Sequence, residues 1–83
     1  MNTIKILRQH FETEYNYTKV GVQMAESQKE KNDCIWYAVQ RCLGMATIAQ
    51  SFGASFEEIE PVYEEIKNKI MALGDWQTAP NVL

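Results

Sequence analysis

Few side chains in this chain are equipped for covalent or acid–base chemistry. They are two cysteines, Cys34 and Cys42, a single histidine, His10, and carboxylates concentrated at Glu57, Glu58, Glu60, Glu64 and Glu65. A catalytic cysteine needs a nearby base and a third group to orient that base. Both cysteines instead fall in one apolar run, where desolvation raises a thiol pKa and suppresses the reactive thiolate. Eight residues of helix would set their Cα atoms ~12 Å apart, beyond the ~7 Å that a disulfide tolerates. They read as small packing residues of a protein kept in a reducing compartment.

The remaining chemistry is equally sparse. Di-metal helical sites draw on Glu-x-x-His pairs, and the position three residues before His10 is Leu7. His10 with Glu14 one turn later reads as a surface pair. Neither zinc-ligand spacing nor a glycine loop that could cradle phosphate is present. The sequence therefore predicts no enzyme, no cofactor and no metal.

The carboxylates carry more information through their placement. The 83 residues have a net charge of -3, but residues 1–54 hold six basic against five acidic side chains, and residues 55–83 hold two against six. A nucleic-acid binder needs a basic footprint to release phosphate counterions, and this distribution is the opposite. An acidic face serves solubility or a basic partner. Glu57, Glu60 and Glu64 recur at three- and four-residue steps, so they share a helix face that is either simply solvated or a docking surface.

The elements that carry these residues follow from periodicity. With 46% hydrophobic and 23% charged residues, the chain is an ordinary globular sequence with enough apolar material for one small core. Ile4, Leu7, Phe11 and Tyr15 predict a helix over about 3–15, capped by Asn2 or Thr3. Tyr15, Tyr17, Thr18 and Gly21 weaken a helical reading, so 16–25 is expected as a connector, with a short strand over 18–23 as the alternative. A long helix follows over about 26–52. Gly53 is its expected left-handed stop. Ser55-Phe56-Glu57-Glu58 matches a capping box and opens a third helix over about 55–73, with Glu65 and Lys69 as a favourable four-residue pair. The expected architecture is all-α: a single helical domain over 1–74 and a tail over 75–83.

Ile48-Ala49, Phe52-Gly53-Ala54-Ser55, Ile59 and Val62 resemble the core spacing of a helix-turn-helix. The resemblance covers about a quarter of the chain. It implies a sharp helical corner. A recognition helix would present Arg, Lys, Asn or Gln to base edges, where this segment offers Phe56, Glu57, Glu58, Glu60 and Pro61.

The long helix shows the strongest anomaly. Ile35, Ala38, Val39, Cys42, Leu43, Met45, Ala46, Ala49 and Phe52 spread over an arc much wider than the ~100° of a helix that covers one side of a core. The small residues form a ridge that invites close helix approach. The expectation is a non-enzymatic interaction module that self-associates, as a dimer, through Ile35, Ala38, Val39, Cys42, Leu43, Ala46 and Ala49. Trp36, Tyr37 and Trp76, with Glu57, Glu60 and Glu64, are the expected contacts for a protein partner, of basic character where the glutamates take part. Two alternatives stand beside it: an acidic inhibitor of the type phages use, mimicking nucleic acid in a basic groove, and a divergent helix-turn-helix regulator. Lys5, Arg8 and His10 argue against a secretory leader. Gln40 and Arg41 argue against a membrane span over 34–52. The expected compartment is the cytoplasm.

Overall fold

A computed structural model describes residues 2–74. The fold is all-α and consists of three helices, α1 (Thr3–Met24), α2 (Gln28–Ser51) and α3 (Phe56–Met71). Each helix packs against both others. Among the described residues no helix is long and apolar enough to cross a membrane.

Local chemistry fixes most of the boundaries. The Asn2 side chain accepts the Lys5 amide at 3.1 Å and starts α1. Ser27 accepts the Glu30 amide at 3.1 Å, and Glu30 reaches back to the Glu26 amide. Helix α2 thus begins two residues later than 26. Gly53 adopts φ +102°, a backbone that costs a side-chain-bearing residue and suits glycine. The expected capping box is present: Ser55 Oγ accepts the Glu58 amide, and Glu58 accepts the Ser55 amide at 2.9 Å.

Helix α1 overturns the expected connector. It continues unbroken through 16–24, so neither the connector nor the short strand over 18–23 exists. Two tertiary effects outweigh the weak helix propensity of this stretch. The Thr18 hydroxyl donates to the Glu14 carbonyl at 2.7 Å and its side chain is buried, which removes its polar cost. Gly21 lies where α2 comes closest: a Cβ built there would stand 3.4 Å from Cys34 Sγ.

Cross-helix pairs give the directions. Gly21 faces Cys34 and Glu14 faces Arg41, so α1 and α2 run antiparallel. Arg8 pairs with Glu65 and Glu12 with Lys69, so α1 and α3 run parallel. These contacts replace the expected Glu65–Lys69 pair, since both residues turn to α1. Likewise Glu14 pairs with Arg41 at 2.9 Å and leaves His10.

The core joins Leu7 and Phe11 of α1, Ile35, Ala38, Val39, Cys42, Ala46 and Ala49 of α2, and Ile59, Val62, Ile66 and Ile70 of α3. Alanines and a cysteine along α2 let both neighbours approach closely, while the isoleucines of α3 fill the space between. Each fully buried large side chain contributes about 1.5–3 kcal/mol relative to exposure.

This core corrects the expected self-association surface. Ile35, Ala38, Val39, Cys42, Ala46 and Ala49 are all buried within the single chain, because α1 is long enough to sheathe one flank of α2 while α3 covers another. They are not available to a second copy. Of the seven expected residues, only Leu43 is exposed.

Candidate interaction surfaces on the central helix

Large apolar side chains that the core leaves out occur on all three helices: Ile6, Tyr17, Val20 and Met24 on α1, Phe56 and Met71 on α3, and a set on α2. Trp36, Tyr37, Leu43, Ile48 and the capping residue Phe52 are between 45% and 76% exposed. They fall on two flanks set by the 3.6-residue period. Tyr37, Arg41, Ile48 and Phe52 follow one line beside α1. Trp36, Leu43, Thr47 and Gln50 follow another beside α3.

The α1-side flank holds two clefts separated by the Glu14–Arg41 pair. One is apolar: Ile6, Leu7 and His10 of α1 face Met45, Ile48, Ala49 and Phe52. The other is mixed, lined by Tyr17, Gly21 and Met24 of α1 and by Glu30, Asp33, Cys34, Tyr37 and Arg41 of α2. Three of its charged groups are already committed to structure. Arg41 Nε donates to Glu14, Asp33 pairs with Lys29 at 2.9 Å, and Glu30 accepts the Glu26 amide. Cys34 is half-buried and Cys42 fully buried, both as free thiols. Burial pushes the Cys42 thiol up to about 11, with the Glu14 carboxylate adding to the shift and Arg41 opposing it. Among the described residues no cluster of three potential metal ligands occurs.

The α3-side flank forms a groove of about 210 Å³ whose walls are Leu43, Ala46, Thr47 and Gln50 of α2 and Phe56, Ile59, Glu60, Tyr63 and Glu64 of α3. That is less than the ~300–1,000 Å³ typical of small-molecule pockets, and it suits one or two inserted side chains. Leu43 and Phe56 stand exposed at its edges, 45% and 58% respectively. Trp36 lies two turns before Leu43 on the same line. Glu60 and Glu64 form the outer rim, and Glu57 continues their row one turn earlier. Glu64 is answered by Lys67 at 3.2 Å. Glu57 and Glu60 make no ion pair among the described residues.

The structure thus brings together Leu43, Glu60 and Glu64 along one groove, with Glu57 beside it and Trp36 outside its lining, two turns before Leu43 on the same helix line. It places Tyr37 on the opposite flank, and Trp76 lies outside the described residues. Periodicity analysis missed Phe56 and Tyr63 as groove residues because both were assigned to the apolar face of α3. The available signal was their i, i+7 spacing, which puts them between Glu60 and the buried Ile59 and Ile66 at the edge of the apolar face. Comparison of the chain with protein-family models, curated proteins and solved structures finds no match.

Proposed function

We propose that this chain is a non-enzymatic protein-interaction module that engages its partner through the outward flanks of α2. The observation that carries this reading is that the central helix, already supplying six residues to the core, also exposes Trp36, Tyr37, Leu43, Ile48 and Phe52. Apolar side chains clustered in grooves with polar rims mark recognition surfaces on small proteins, and aromatic residues are favoured anchors in such surfaces. An amphipathic helix laying its apolar face into a hydrophobic groove is one recurring mode of recognition. The commitment of Arg41, Asp33 and Glu30 to structural hydrogen bonds supports binding over catalysis. The row of Glu57, Glu60 and Glu64 on α3 argues against DNA, because carboxylates facing phosphate repel.

Selection of helical peptides displayed on phage against the intact chain tests this proposal. Selected peptides should lose at least tenfold in affinity for a variant carrying Leu43→Asp and Phe52→Asp, with the helical circular dichroism spectrum unchanged. Equal affinity for the wild type and this variant would overturn it.

A further inference from the structure

We infer that the groove between α2 and α3 receives a basic amphipathic helix from another protein. This rests on the interaction-module reading above and names the chemistry of the partner. The floor supplies the apolar half of the argument. Leu43 and Phe56 stand exposed on opposite walls over Ala46 and Ile59, so the groove accepts apolar side chains spaced one turn apart on an incoming helix.

Charge supplies the other half. Glu60 and Glu64 line the outer rim on α3, and Glu57 extends the row. Among the described residues Lys67 pairs with Glu64 and stands 5.8 Å over the ring of Tyr63, while Glu57 and Glu60 make no ion pair. On the α2 wall the polar residues are Thr47 and Gln50, which are neutral. An incoming helix lying in the groove would therefore meet an excess of carboxylate along the α3 side, three glutamates against Lys67, and Lys or Arg flanking its apolar stripe would satisfy Glu57 and Glu60. A helix with acidic flanks would be repelled from the same rim.

The length of the occupant follows from the α2 wall. The wall from Leu43 to Gln50 rises about 10.5 Å, and the same helix line continues beyond the groove to Trp36, fourteen steps or about 21 Å from Gln50 at 1.5 Å per residue. The matching partner segment is four helical turns long. Its apolar stripe is anchored near Leu43 and Phe56, and its last turn reaches Trp36.

Three fluorescein-labelled helical peptides of fourteen residues test the inference by anisotropy against the full chain. They share one apolar stripe of Leu and Phe and differ only in polar-face residues, which are Lys/Arg, Gln or Glu. The cationic peptide should bind tightest. Its affinity should fall about five- to tenfold when Glu60→Gln and Glu64→Gln are combined, and should fall as salt is raised. Glu12→Gln, on the far side of the bundle, should leave it unchanged. If the Gln peptide binds as tightly as the cationic one and Leu43→Asp still abolishes binding, the groove stands and the basic partner is overturned. If Leu43→Asp changes the binding of none of the peptides, the groove reading fails and the inference with it. A concentration-dependent dimer by light scattering that Leu43→Asp dissolves would make the occupant a second copy, which also overturns it.

Discussion

Replacing Arg41 by methionine should destabilise the protein far more than its position on the surface implies. Arg41 is 46% exposed as a side chain, but the carboxylate it holds, Glu14, is only 15% exposed. The 2.9 Å contact clasps α1 to α2 between the two clefts of the α1 flank. A fully exposed pair contributes ~0–1 kcal/mol, and breaking a fully buried one costs ~3–5 kcal/mol. One sheltered and one half-open partner place this pair between them, at about 1.5 kcal/mol. Methionine keeps the aliphatic stem of arginine, so packing loss is small. For a domain of this size, about 1.5 kcal/mol lowers Tm by roughly 6–12 °C. The measurement is a double-mutant cycle of Arg41→Met, Glu14→Gln and the double variant by urea denaturation. The coupling term should be about 1 kcal/mol or more and should largely survive in 0.5 M salt, because the sheltered carboxylate is weakly screened. A coupling within ~0.3 kcal/mol of zero would show that the pair is an ordinary surface contact and that the hairpin is held by packing alone.

The glycines and cysteines of the bundle give further outcomes. Gly44 sits mid-helix with nothing within 4 Å of an added Cβ, whereas Gly53 adopts φ +102°. Gly44→Ala should therefore stabilise by about 0.5–1 kcal/mol and Gly53→Ala should destabilise by about 1–2 kcal/mol, both read from urea midpoints. The Cys42 thiol is raised from an ordinary 9.0 to about 11 in the folded chain. Its neutral form is favoured by folding, so its contribution to stability is full below pH 9 and is lost as pH rises through 11. Cys42→Ala should flatten the alkaline fall in stability, and a thiol reagent at neutral pH should modify Cys34 well before Cys42; equal labelling rates would refute the buried placement.

How much of this was legible in the sequence depends on where neighbouring helices act. Capping is a local affair, so Asn2, Gly53 and the Ser55–Glu58 box read directly and proved to be structural features. Ser27-x-x-Glu30 is the same signal, and weighing it would have set the start of α2 correctly. The core face of α3 was also readable, since Ile59, Val62, Ile66 and Ile70 repeat at helical steps and are buried together. Residues 16–24 were not. Thr18 and Gly21 weaken a helix in isolation, and only the presence of α2 turns them into a buried side chain and a site of close approach.

That single misreading accounts for the misplaced self-association surface. With α1 ended at Tyr15, the apolar arc of α2 had too few neighbours, and a second copy was the natural cover for Ile35, Ala38, Val39 and Cys42. Extending α1 by nine residues brings Thr18 and Gly21 alongside Cys34 and the first turns of the arc, and the need for a companion at those positions disappears. Burial of a wide arc is therefore a property of the whole bundle, and a helical wheel of one segment overstates what remains for a partner. What does remain is narrower and is found on the two flanks, where α1 and α3 diverge from α2 and leave Tyr37, Ile48 and Phe52 on one side and Trp36 and Leu43 on the other. The case for a partner rests on these flanks; Leu43 and Ala46 are common to the expected association surface and the observed groove, and of the two only Leu43 is exposed.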